Sequence, residues 1–324
     1  MKILLKKKNI LILLFFAISC KKDVKSKFDI DVTHIKLDVK IERFDQEFNN
    51  LKRSEVQELV TKFPFLFSTD LEDEFWFEKS NDTLHNELVS EVNKVFPIQD
   101  VLDVDLTSMI KHLKYYYPQI TLPRVVSLIS DVDYRNRVIL TKELLLVSLD
   151  CYLGGDHYFY TDIDKFIRDD LNKSLLLPDV GMEYAKKIVS RADGRDLMAQ
   201  MILFGKRYYL LKAILPKITD DILLGYTNDE FLWLEANEAF IWRYFIEKDM
   251  LYNTDKNLLP RFVYPAPFSK FYLEIDQQSP DRVAQYIGFK IVLAFMKNND
   301  VSLQELMGVD SKILFESSKY KPKK

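Results

Sequence analysis

Glycine supplies only eight of the 324 residues, about a third of its usual ~7% share. Sandwiches and propellers turn repeatedly through positive φ, which glycine adopts without steric cost. So few glycines favour helices joined by short polar turns. Hydrophobic residues make up 48% of the chain and aromatic residues 13%, enough to bury a core, which excludes a disordered polypeptide. The length supports that core without disulfide or metal staples. The 46 Lys+Arg against 49 Asp+Glu lack the basic footprint of a dedicated nucleic-acid binder, so no nucleic-acid partner is expected.

The first twenty residues are built differently. Lys2, Lys6, Lys7 and Lys8 make a positive start, and Ile10 to Ile18 are nine uninterrupted apolar residues. Crossing a hydrocarbon core of ~30 Å takes about 20 such residues, so this is an export signal rather than a spanning helix. Ala17-Ile18-Ser19-Cys20 resembles a bacterial lipobox. There the cysteine thiolate, a soft nucleophile, takes a diacylglycerol through a thioether and becomes the new N-terminus. Cys20 is therefore the candidate lipidation site, with residues 1–19 as a lipoprotein signal peptide. Each buried methylene contributes ~0.8 kcal/mol, so two or three acyl chains (palmitate among them) hold a protein stably to a membrane. Removing residues 1–19 leaves 42 basic against 49 acidic residues, a net charge of −7, so the anchor is fatty rather than electrostatic. Cys151 then has no partner for an intrachain disulfide, and the fold must rest on packing.

Residues 20–33 read as the lipidated cysteine and a flexible tether. Ile35 to Glu42 alternate strictly between apolar and charged side chains, which predicts a half-buried strand. Arg43-Phe44-Asp45 opens a short helix. Ser54 with Gln57 gives a capping-box pattern before a helix that Pro64 stops. Helical faces follow at Leu84/Leu88/Val92/Val95 and Leu102/Leu106/Met109/Leu113, ended by Pro97 and Pro118. Arg124 to Ser130 predicts a second strand, while Leu140 to Leu153 fits a third strand running into a helix, an ambiguity that periodicity leaves open. From Asp162 onward the pattern is helical. Met198 to Leu215 is one long amphipathic stretch, Thr227 and Glu230 cap Phe231 to Met250, and Ser279-Pro280 opens Asp281 to Lys297. Ser302 and Glu305 cap a last short helix ending at Gly308. Without internal repeat or low-complexity linker, residues 34–316 are expected as one helix-rich domain with a small sheet, α+β and predominantly α-helical. Residues 317–324 form a basic tail expected to fray.

Catalytic constellations are sparse. His34, His85, His112 and His157 include no H-E-x-x-H and no i, i+4 pair for zinc. A nucleophile elbow, a phosphate loop and a dinucleotide fingerprint are all missing. Gly154-Gly155-Asp156-His157 reads as a turn rather than a phosphate cradle. Cys151 beside His157 reads as a buried inert thiol rather than half of a thiol–imidazole pair. Glu230, Glu235 and Glu238 share one helix and read as a solvated face, since paired carboxylates that do acid–base work need different environments across a cleft. Met182-Glu183-Tyr184-Ala185-Lys186 has the frame of a zinc helix without the imidazoles. Gly205 and Gly288, with Ala284, suggest close helix packing. Phe231, Trp233, Phe240, Trp242, Tyr244 and Phe245 crowd one helix and read as core rather than a partner patch.

The lipobox signal, Ile41-Glu42-Arg43-Phe44-Asp45, Leu149-Asp150-Cys151-Tyr152-Leu153-Gly154, and Met198-Ala199-Gln200-Met201-Ile202 through Gly205-Lys206 resemble the GldB gliding-motility lipoproteins of Bacteroidetes. Pro265-Ala266-Pro267-Phe268 and Ser279-Pro280-Asp281-Arg282-Val283 fit the same family. The resemblance covers essentially the whole mature chain. It implies a lipid-anchored envelope component required for gliding, with gliding and type IX secretion proteins as partners, and no established catalytic activity or cofactor. Lys21-Lys22-Asp23 after Cys20 is not an acidic run, which points to the periplasmic side. That family is distantly similar to zincin-like predicted metalloproteases, which implies a degenerate zincin-like scaffold without metal ligands. Phe204 stands where an acidic residue is expected, and Asp281 where a glycine is. The competing readings are a divergent metalloprotease-like hydrolase using Glu183, Glu235 or Glu238, and a periplasmic small-ligand-binding lipoprotein.

Overall fold

The computed structural model of the chain describes residues 28–97 and 102–323. The fold is α+β and mostly helical. Its one sheet holds β1 (Ile41–Arg43), β2 (Arg124–Leu128), β3 (Val138–Leu140) and β4 (Leu144–Ser148) in the order β1-β2-β4-β3. β1, β2 and β4 run parallel, and β3 returns antiparallel on β4. Between β1 and β2 come α1 (Phe44–Glu47), α2 (Val56–Lys62), α3 (Asp73–Ser80), α4 (Thr83–Val95) and α5 (Leu102–Tyr116). After β4 come α6 (Lys165–Arg168), α7 (Leu176–Ile188), α8 (Leu197–Ile214), α9 (Asp220–Leu224) and α10 (Asn228–Glu247). The chain closes with α11 (Leu258–Phe262), α12 (Val283–Asn298), α13 (Leu303–Gly308) and α14 (Ser311–Ser318).

Successive residues of a strand face opposite ways, and the sheet uses this to separate two apolar clusters. Val125 and Leu145 enter the large cluster built by the later helices, while Val126 joins Phe44, Phe48, Leu59 and Phe63 on the other face. Of the alternation at residues 35–42, only Ile41 and Glu42 enter β1. Upstream of it the Val39 N–H donates to Thr107 Oγ1 of α5 at 2.9 Å instead of a partner strand, and at the first residue of β1 the Ile41 N–H donates to Asp103 Oδ1 at 3.3 Å. The apolar run from Leu140 resolves as the end of a hairpin, followed by a 3₁₀ turn at Leu149–Cys151 rather than a helix.

The capping boxes at Thr227/Glu230 and Ser302/Glu305 form as expected. The box expected at Ser54 and the N-cap expected at Ser279 do not. A 3₁₀ turn occupies Arg53–Glu55, and Gln57 donates to Asp73. The Ser279 hydroxyl donates to the Ser269 and Asp276 carbonyls, so α12 starts later, at Val283. The tail is not frayed. Tyr320 O–H and Lys323 N–H both donate to Glu238 Oε1, at 2.9 and 3.0 Å, and Trp242 packs against Tyr320. The expected tether is likewise tied down from Phe28, whose ring meets Tyr209 edge-on.

α8 is buried around nearly its whole circumference rather than amphipathic. Its two central cations survive burial by satisfying carbonyls left over at other helix ends. Lys206 Nζ donates to Met307 O and Val309 O, at 3.2 and 2.6 Å, and Arg207 Nε to Val189 O at 3.0 Å. α8 crosses α12 at Gly205 and Gly288 so closely that a Cβ on Gly288 would overlap the Met201 carbonyl, and one on Gly205 the Gly288 carbonyl. Close packing is thus what these two glycines provide.

Candidate functional site

A cleft of about 570 Å³ opens between the 164–175 segment, the turn after α9, the 266–267 loop and the start of α12. Asp164, Phe166, Asp170, Tyr226, Pro267 and Arg282 are among its walls. Behind it, a second cavity of about 270 Å³ shares Asp170, Gly225 and Arg282, and adds Arg137 and Asp179.

Arg282 joins the two spaces. It precedes α12 at φ 52°, in the left-handed region, which costs a non-glycine residue roughly 1–2 kcal/mol. Its Nε donates to Asp281 Oδ1 at 2.8 Å and its Nη2 to Gly225 O at 3.0 Å, while Asp170 Oδ1 lies 3.7 Å from Nη2. Gly225 is itself left-handed, at φ 72°, and ends α9 so that its carbonyl can meet the guanidinium. Burial alone would depress the guanidinium, but Asp281 and Asp170 outweigh it and hold the charge well above the ordinary arginine range. Asp281 also accepts the Ala266 N–H at 3.1 Å, which fastens the 266–267 loop.

On the far side, Arg137 holds Asp179 by two bonds, Nε to Oδ2 at 2.6 Å and Nη2 to Oδ1 at 3.0 Å, and Tyr152 O–H donates to Oδ2 at 2.9 Å. Tyr208 donates to Gln285 Oε1 at 2.6 Å, and burial pushes its hydroxyl up to about 12. Burial raises the Asp170 carboxyl, an effect that Arg282 and Arg137 only partly offset.

Of the side chains singled out in the sequence, Glu230 and Asp281 border the cleft and Phe204 the second cavity, and the others go elsewhere. Cys20 lies outside the described residues. Cys151 is fully buried, burial pushes its thiol far above the usual range, and its polar neighbour is the Ser130 hydroxyl at 3.9 Å. His157 stacks on Tyr158 and Phe159 and faces Glu91 at 3.4 Å. The Gly154–Gly155 turn packs on α6, where a Cβ on Gly155 would press the Arg168 carbonyl at 2.7 Å. His34 is exposed, His112 bonds the Ser108 carbonyl, and His85 is buried edge-on against Phe48. Glu183 pairs with Lys186 at 2.6 Å.

Glu230 closes the α10 capping box, and Glu235 is a third exposed beside Lys290 and Lys323. Glu238 corrects the solvated-face expectation. It is 2% exposed and gathers Tyr286 O–H, Tyr320 O–H and Lys323 N–H, with Lys290 Nζ at 3.7 Å. It ties α10, α12 and the tail together. Trp242, Tyr244 and Phe245 are buried, and Phe231, Trp233 and Phe240 pack against the same core, as expected. Phe204 lines the second cavity with the Arg207 guanidinium 5.4 Å from its ring centre. Among the described residues, no group of three or more His, Cys, Asp or Glu side chains is placed to hold a metal ion.

Reading the sequence missed Asp170, Arg137, Asp179 and Arg282. Only Asp281-Arg282, a charged pair just before an apolar helix, hinted at them.

A protein-family model described as gliding motility protein GldB matches residues 25–322. No curated protein and no solved structure matches the chain.

Proposed function

This chain belongs to the GldB family of gliding motility proteins, and we propose that it is a lipid-anchored component of the cell envelope that serves the gliding and type IX secretion apparatus as a structural or interaction protein. The observation that carries this reading is the pairing of that family match with the basic start, short apolar run and Cys20 of residues 1–20. Among the described residues no helix is long and apolar enough to cross a membrane. In this reading the acyl chains on Cys20 are the anchor, and the acidic body faces the periplasm.

Cys20→Ser removes the thiol that takes the diacylglycerol. Labelled palmitate is expected to disappear from the protein, which should leave the membrane fraction, and gliding should cease. Full labelling and normal gliding in the variant would refute the anchor.

A role by contact rather than turnover is supported by how the candidate groups are engaged: Glu183 in an ion pair, Glu238 at a helix junction, Cys151 without an imidazole partner. The hydrolase alternative needs a metal or a free carboxylate. Purified full-length protein is expected to carry no stoichiometric zinc and to show no peptide hydrolysis sensitive to a chelator. Stoichiometric zinc with chelator-sensitive hydrolysis would replace this reading with the enzymatic one.

A further inference from the structure

The five carboxylates bordering the cleft are engaged unequally. Asp169 pairs with Lys165, Glu230 closes the α10 capping box, Asp281 is held by Ala266 and Arg282, and Asp164 lies exposed at the rim. Asp170 alone combines shelter from solvent with the lack of a donor. Its side chain is only 18% exposed, the nearest cation is 3.7 Å away, and its carboxylate accepts no hydrogen bond among the described residues, yet it lines both cavities. In the buried network Asp170, Asp179 and Asp281 outnumber Arg137 and Arg282 by one charge. A buried carboxylate without donors is costly, and a ligand cation in the cleft would supply what the fold omits.

We propose that the cleft binds an organic ammonium ion whose NH3+ donates to Asp170 while its aliphatic stem lies along Phe166, Leu175 and Pro267. About 570 Å³ falls within the ~300–1,000 Å³ of small-molecule sites and far exceeds a bare ammonium, so the stem is part of the ligand. A hard metal ion would need several free oxygens; Asp169, Glu230 and Asp281 are engaged, and among the described residues no group of three or more His, Cys, Asp or Glu side chains is placed to hold one. An anion at Arg282 would meet a guanidinium already donating through Nε and Nη2, in a cleft where carboxylates outnumber cations.

The test uses full-length protein in detergent micelles and two probes, Nα-acetyl-lysine methylamide and its norleucine counterpart, read by ligand-observed NMR. The lysine probe should bind saturably and the norleucine probe about tenfold more weakly or worse, because only the first makes the charge-assisted bond. Asp170→Asn should weaken the lysine probe by about tenfold; because it also removes the anion 3.7 Å from Arg282, the melting temperature of the unliganded variant is measured alongside to show that it folds. Ala266→Trp, which fills the cleft mouth and leaves Asp170 in place, should abolish binding. Equal binding of the two probes, no saturable lysine binding, or unchanged binding by a folded Asp170→Asn would each overturn the proposal. If Asp170→Asn does not fold, saturable lysine binding that persists in Ala266→Trp overturns it.

Discussion

Gly288→Ala is expected to destabilise the protein by about 3 kcal/mol or more and to lower its melting temperature by roughly 6–12 °C. Two effects compete at this position. Alanine is the better helix former by about 1 kcal/mol, which alone would raise stability. Against that, the added methyl would overlap the Met201 carbonyl of α8, a backbone group that no rotamer change can move. The two helices must separate. Each is buried nearly all round, so the shift would open gaps against Tyr208, Ile291 and Val292 as well. Overlap therefore wins by a clear margin. Gly308 provides the contrast: a Cβ there meets nothing within 4 Å, so Gly308→Ala is expected to be neutral or stabilising by up to about 1 kcal/mol. Thermal unfolding of both variants by circular dichroism checks the pair, and equal melting temperatures would show that the α8–α12 contact is not tight.

That crossing was legible because small residues sit at helical positions where a close approach needs them. Capping was legible in part. The Thr227 and Ser302 hydroxyls each accept the N–H three residues on and donate to the Glu at that position, whereas Ser279 donates to the Ser269 carbonyl of a loop ten residues away and α12 begins only after Arg282. Residues 35–40 alternate as a strand would, but pairing also requires a free neighbour, and at Val39 the Thr107 side chain takes the backbone N–H instead. Glu238 misled for a related reason. The spacing of Glu235 and Glu238 describes one helix in isolation, and the burial comes from Tyr320 and Lys323 at the far end of the chain. The cleft was least legible. Asp170 and Arg282 belong to separate polar segments, and neither segment carries a spacing that announces the other. Periodicity reports which face of an element is apolar; it carries no information on which distant loop supplies a charge.

Arg282→Met should cost about 3–5 kcal/mol, the range for removing one partner of a buried ion pair, and its cost should depend on pH. Methionine fills much of the same volume, so the loss is electrostatic rather than a cavity. Three acceptors lose their donor or cation at once: Asp281 Oδ1, the Gly225 carbonyl and the Asp170 carboxylate. Burial already raises the Asp170 carboxyl, and Arg282 is the foremost of the groups holding it down, so the variant carries a folded-state value raised further. In the window between the ordinary unfolded value and that raised value, the folded chain binds more protons than the unfolded one. Stability from this group is complete below the unfolded value and is lost as pH rises through the folded one. The deficit relative to the parent is accordingly smaller at pH 5 than at pH 8. Melting temperatures of parent and variant at the two pH values measure this directly, and a deficit that is equal at both, or larger at pH 5, would contradict the assignment of Arg282 as the charge that stabilises Asp170. Arg282→Lys separates charge from geometry: an ammonium keeps the cation but cannot reach Asp281 and Gly225 together as the planar guanidinium does. It should therefore recover the pH dependence of the parent while remaining less stable at every pH.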